Sequence, residues 1–270
     1  MYKKPFAIPF VICVIAGTLI PLAVIFYYGL TDRSGIFTFE NIKAMFGHEH
    51  AKALMLSLGL AFLSTLICLV LATPLALILR NSNLGRRGFM VFIFILPMWM
   101  NFLLRTMAWR VLLERGGMIN DILSILHLPA LEIINTPVAV VLGMVYDFLP
   151  FMVLPIYNAM IKIENDVIEA AYDLGATKAR VLWNVILPLS IPGIASGITM
   201  VFVPSLTTFA ISNMLGGGKI NLIGNIIEQE FTTSGNWHLG SGLSLVMMIF
   251  ILISMALLSK IDKEGEGTLI

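Results

Sequence analysis

Two short stretches hold residue types that could do chemistry, and the spacing of each argues against it. "GHEHA" at Gly47–Ala51 puts His48 and His50 near one acid, the raw material of a metal site. It lacks the i, i+4 spacing with which a zinc helix presents two imidazoles, and His127 and His238 stand apart from it, so no metal site is expected. "LGGGKI" imitates a phosphate loop around Gly218 and Lys219, but Ile220 replaces the Ser or Thr that holds magnesium and Asn213 replaces the first glycine. No nucleophile stands beside a base, so no catalytic residue is expected and the chain reads as a non-enzyme. What remains are Arg105 and Asp147, two ionisable residues inside strongly apolar stretches.

Their setting is set by composition. The chain has 270 residues, 58% of them hydrophobic and 12% charged, with a mean hydropathy of +0.93. Soluble domains carry about 25% charged residues, so this chain cannot cover a water-facing surface. Apolar runs near 5–28, 54–79, 89–113, 137–159, 191–212 and 241–259 predict an all-α polytopic protein with six spans and a single membrane domain over 1–270. The first run is too long for a secretory signal, and no small-residue cleavage site follows it; it is expected to be a retained span. Cys13 and Cys68 lie inside apolar runs and read as small hydrophobes.

Six spans place both termini on one side. With the termini inside, the inner segments collect Lys3, Lys4, Arg80, Arg86, Arg87, Lys162, Lys178, Arg180, Lys260 and Lys263, against Arg33, Lys43, Lys52, Arg115 and Lys219 outside. The positive-inside rule then predicts cytoplasmic termini.

A lone charge at mid-bilayer costs at least about 2.5–3.5 kcal/mol on insertion scales. At 1.5 Å per residue, Arg105 and Asp147 lie roughly 12 and 15 Å from the outer ends of their spans, so they can meet. Three readings stay open: an Arg105–Asp147 pair, Asp147 facing a pathway as a cation ligand, or snorkelling. Nearby aromatic residues are Trp99, Trp109, Tyr146, Phe148, Phe151, Phe202 and Phe209. Pro97, Pro150, Pro155 and Pro204 remove ladder hydrogen bonds within the spans and permit hinges. Outer loops 114–136 and 213–240 carry more acid than base, Glu228 and Glu230 among them, which reads equally well as ordinary solvated charge.

One stretch breaks the apolar run. "EAAYDLGATKARVLWNVILPLSIPG" runs from Glu169 to Gly193 between two spans. Asp166 and Glu169 are spaced as an N-cap and its partner, and Val167, Ala171 and Leu174 share a face. Gly175 ends this helix, Thr177 caps a second, and Pro188 stops it. Two short amphipathic helices over 161–190 are expected at the membrane surface. They are either a plain connector or a docking element that pushes on the flanking spans.

Here the stretch resembles the EAA loop of ABC-importer permeases of the binding-protein-dependent type. Glu169, Ala170, Ala171, Gly175, Ile186, Leu187 and Pro188 stand at that pattern's positions. The resemblance implies a type I ABC-importer permease fold whose insert docks on a separate ATPase. The segments "LPMWMNFLLRTMAWRVLLERGGMIN" (96–120), "VYDFLPFMVLPIYNAM" (145–160) and "MLGGGKINLIGNIIEQEF" (214–231) resemble the PotB type of spermidine/putrescine permease, although permeases for other small solutes share parts of them. That type implies a bacterial inner-membrane protein with a PotC-like second permease and two PotA-like cytoplasmic ATPase subunits carrying ATP and Mg. It also implies a PotD-like external polyamine-binding protein. No cofactor is expected on this chain. Trp99, Arg105, Tyr146, Asp147, Phe202 and Phe209 are the expected pathway residues. An ion-coupled secondary transporter is the rival; it should need acidic groups in more than one span, and Asp147 is the acid found there.

Overall fold

The computed structural model describes residues 4–82 and 96–267. Within them the long apolar runs fold as helices because a bilayer offers the backbone no other hydrogen-bond partners. Helix α1 is Lys4–Gly29, α2 is His48–Asn81, α3 is Phe102–Leu113 and α4 is Met118–Ile125. Helix α5 is Pro137–Ile161, and α6 is Asn165–Asp173. Helix α7 runs Lys178–Leu189, α8 is Ile191–Thr207, α9 is Ala210–Leu215, α10 is Ile223–Thr232 and α11 is Trp237–Gly267. Long apolar stretches in α1, α2, α5 and α11 can each cross a membrane, and α7 with α8 forms a bent pair, turned by 65°, that can supply a fifth crossing. The expected third span begins before Leu96; its residues 89–95, with Arg86 and Arg87, lie outside the described residues.

The bundle is organised around α5, which packs along α2 and α8; α11 lies on α8, with α1 on its other side. Contact between α5 and α8 is set by small residues. Gly193 and Gly197, four apart on α8, face Pro155, Ala159 and Met152 of α5 so closely that a Cβ on Gly193 would sit 2.6 Å from the Pro155 carbonyl oxygen. Such small-residue faces let helix backbones approach where no hydrophobic force separates helix from lipid.

The chain stays helical through Pro74, Pro150, Pro155 and Pro204. The expected fifth span, 191–212, breaks instead at Thr208 and Phe209, where Thr208 is extended (φ −65°, ψ 137°). Asn225 holds that break. Its Nδ2 donates to the Phe209 carbonyl at 3.1 Å and to Asn213 Oδ1 at 2.6 Å, and its Oδ1 accepts from Leu222 N and Ser212 Oγ. At the start of α10, the buried Ser57 Oγ accepts from Ile223 N at 2.8 Å, satisfying an amide that has no partner within the helix.

Candidate functional site

The insert between α5 and α8 is built as the residue pattern requires, with two adjustments. Helix α6 starts at Asn165 behind Glu164, with no side-chain cap, so Asp166 lies inside the first turn rather than at the N-cap. Its inner face is Ile168 and Ala171, packed with Leu182, Val185 and Leu187 on the core formed by Met160, Ile156, Val181 and Ile186. The expected face of Val167, Ala171 and Leu174 is not formed: only Ala171 of the three packs inward, while Val167 is exposed and Leu174, ending the helix where the chain turns away, is 89% exposed.

The turn itself is a Schellman motif. The amide of Gly175 donates to Tyr172 O at 2.8 Å and that of Ala176 to Ala171 O at 3.0 Å. This closure needs a left-handed residue, and Gly175 has φ +82° with open space where a Cβ would stand. Thr177 then caps α7, its Oγ1 accepting from Arg180 N at 3.4 Å. Within α7, Leu182–Ile186 is a widened π turn that ends beside Pro188, whose missing amide removes the next α-helical bond. Ser190, buried, bonds back to the Ile186 carbonyl at 2.7 Å where α7 and α8 bend apart.

Of the seven EAA-loop residues, Glu169, Ala170, Gly175 and Pro188 are exposed, Ala171 and Leu187 are half-buried, and Ile186 is buried. The insert therefore has an anchored side and a free side. On the free side Leu174 and Trp183 stand largely exposed, with Val167 and Tyr172 partly so. These four large apolar side chains on the insert are left uncovered within the chain itself.

A further candidate is Arg80, which the sequence marks only as one of the inner basic residues. It is buried at the end of α2, where Nε donates to Met160 O at 2.8 Å and Nη2 to Ile163 O at 3.0 Å and Asn165 Oδ1 at 3.4 Å. One guanidinium thus binds a carbonyl in the last turn of α5, a carbonyl of the link that follows it, and the first residue of α6. Basic character at the end of an apolar run was its only sequence signal.

At the intramembrane site the two charges do meet. Asp147 on α5 and Arg105 on α3 are both buried, with Nη2 3.2 Å from Oδ1, and Thr106 Oγ1 donates to Asp147 Oδ2 at 3.0 Å. The contact is an ion pair by distance, but its alignment is poor for a hydrogen bond. Asp147 Oδ1, Arg105 Nε and Arg105 Nη1 have no hydrogen-bond partner among the described residues. Arg105 also lies 5.9 Å from the ring centre of Tyr146, which stacks edge-on with Trp109 at 5.4 Å. The remaining pathway candidates are elsewhere. Trp99 is exposed on the single turn Leu96–Trp99, Phe202 packs in the core with Leu206, Ile223 and Leu243, and Phe209 sits half-exposed at the helix break.

Among the described residues no group of three or more His, Cys, Asp or Glu could hold a metal ion. Asp32, outside the apolar helices, structures its loop. Hydrogen bonds from Ser34 and the Ile36 amide hold its carboxyl below the usual carboxylate range.

Comparison with known proteins places this architecture. Residues 61–263 match the family described as binding-protein-dependent transport system inner membrane component. The chain is 37% identical over 251 residues, 89% of its length and 87% of the relative's, to the spermidine/putrescine transport system permease protein PotB of Haemophilus influenzae. It is 36% identical over 217 residues, 79% of its length and 78% of the relative's, to PotB of Escherichia coli. Its fold matches a chain of a bacterial ABC transporter involved in import of the acidic polysaccharide alginate, with a TM-score of 0.82, 16% identity and coverage of 97% and 94% of the two chains. A chain of the MetNI methionine ABC transporter matches with a TM-score of 0.57 and 19% identity, over 80% of this chain and 95% of that one. With an all-α permease fold of the ABC-importer kind and several helices long enough to cross a membrane, the chain belongs to the family of binding-protein-dependent transport inner membrane components.

Proposed function

We propose that this chain is one of two permease subunits of an ATP-driven importer of spermidine and putrescine, with both termini and the insert in the cytoplasm. The observation that carries the coupling role is the two-sided insert. One side is locked to the end of the α2–α5 bundle through Arg80, Ile168, Ala171 and Ile186; the other presents Glu169, Leu174, Gly175 and Trp183 to the surroundings. A force applied to the free side by an ATPase subunit reaches α5 and α8 directly, because α6 follows α5 after three residues and α7 continues into α8 across Ser190.

ATP and Mg would be held by the ATPase partners, and this chain supplies the membrane path and the joint. Polyamine as substrate is supported by the PotB relatives, which match most of the chain. A second permease of the PotC kind and an external binding protein of the PotD kind complete the assembly, and movement of the paired permeases alternates access between the two sides. Along the path, Asp147 with Arg105 and Tyr146 is read as a clamp between α3 and α5, while Phe209 lies where the fifth span is broken. Trp99 and Phe202 complete the set of pathway candidates, Phe202 from within the core beside Leu206.

Affinity purification of the tagged chain from cells expressing the whole system tests the joint. The wild type should bring down the ATPase subunits, and Leu174→Asp should lose them while keeping the second permease. Retention of the ATPase at wild-type ratio by Leu174→Asp would contradict the docking role.

A further inference from the structure

The broken fifth span opens onto a groove separate from the Arg105–Asp147 ion pair, lined in part by the segment 214–231. Its walls come from the break (Phe209), from α10 (Glu228, Phe231, Thr232) and from α11 (Ser244, Met247), and it encloses about 470 Å³. That falls within the roughly 300–1,000 Å³ typical of small-molecule sites. The walls are mostly phenyl and thioether surface, and Glu228 is the one ionisable side chain among the lining residues.

Glu228 forms no ion pair with any described residue. One of its oxygens accepts from Thr232 Oγ1 at 3.1 Å, a neutral contact within the same helix. The carboxylate is partly buried at the edge of the apolar groove, with no basic side chain among the lining residues, so a cation entering the groove meets an available negative partner. Directly beside it the main chain is unwound. Gly224 packs so closely on the break that a Cβ there would lie 2.7 Å from the Thr207 carbonyl oxygen and 2.9 Å from that of Thr208. Asn225 fixes this arrangement through Phe209 O. Broken membrane helices next to a cavity are where transporters place ion and substrate sites.

The geometry points to a binding site for a linear alkylammonium here, with an ammonium group on Glu228 and its methylene chain along Phe209, Phe231 and Met247. This rests on the polyamine reading above and assigns that substrate a place in the chain. A lipid acyl chain would match the apolar walls but leave Glu228 uncompensated; a protonated polyamine matches both. Phenyl faces add attraction for the cation.

The test uses the complete importer in nanodiscs with a diazirine-bearing spermidine analogue. Irradiation should label residues 223–232 or 244–251, and excess spermidine should suppress that label. Glu228→Gln should reduce the protected label about tenfold, the scale of one charge-assisted contact. Glu228→Asp should keep most of it, with subunit assembly unchanged in both. Undiminished protected labelling in Glu228→Gln overturns the site, as does labelling here that spermidine does not displace. Spermidine uptake with protected labelling confined to other segments removes this site and leaves the polyamine reading standing. Absence of both uptake and protected labelling in the wild type removes the two together.

Discussion

Arg80 Nε donates to the carbonyl of Met160 across 2.8 Å, joining the last turn of α2 to the last turn of α5 where the insert begins. The same guanidinium also serves Ile163 and Asn165, so its loss would strand carbonyls at the point through which the insert pulls. Leaving such buried groups without a donor costs about 1–3 kcal/mol. Arg80→Gln should still assemble with its partners, yet uptake per ATP hydrolysed should fall several-fold, measured as paired transport and ATPase rates in proteoliposomes. An unchanged ratio would show that Arg80 is a local cap with no part in transmission.

Gly175 separates conformation from contact. Its φ of +82° is unfavourable for a branched side chain by about 1–2 kcal/mol, while nothing lies within 4 Å of a Cβ placed there. Gly175→Val should insert normally and lose most uptake, whereas Gly175→Asn, which tolerates the left-handed region, should keep a large share of it. Equal loss in both variants would point to contact with the partner rather than to the turn.

The buried pair of Arg105 and Asp147 predicts a non-additive cycle. Removing one charge from such a pair costs about 3–5 kcal/mol, because the other is left uncompensated. Asp147→Asn and Arg105→Gln should each lower the thermal stability of the assembled permease, and the double variant should recover part of the loss. Additive losses would show that the two side chains act independently.

How far the sequence carries depends on the range of the interaction. Hydropathy alone locates the long helices, since span length follows from bilayer thickness, and the insert is legible because Gly175 and Thr177 are local signals read within a turn. The Arg105–Asp147 meeting follows from matching depths, though depth leaves the rotation of each helix undetermined. Contacts between distant segments left no such trace. Arg80 finds Met160 eighty positions away, and Ser57 finds Ile223 across 166. The Gly193–Gly197 spacing is visible in the sequence, but its partner face on α5 is not. Proline misled in the fifth span. Pro204 is accommodated within α8, and the break falls at Thr208 and Phe209, where Asn225 on another helix supplies the hydrogen bonds that make it stable.

The most direct test of the whole account is spermidine accumulation by proteoliposomes holding the chain with its second permease and ATPase subunits, supplied with binding protein outside and ATP inside. The account predicts uptake against a gradient that requires ATP and stops when the ATPase subunits are omitted or when Leu174→Asp prevents their docking. Accumulation by the permeases alone, driven by a proton or sodium gradient, would contradict it.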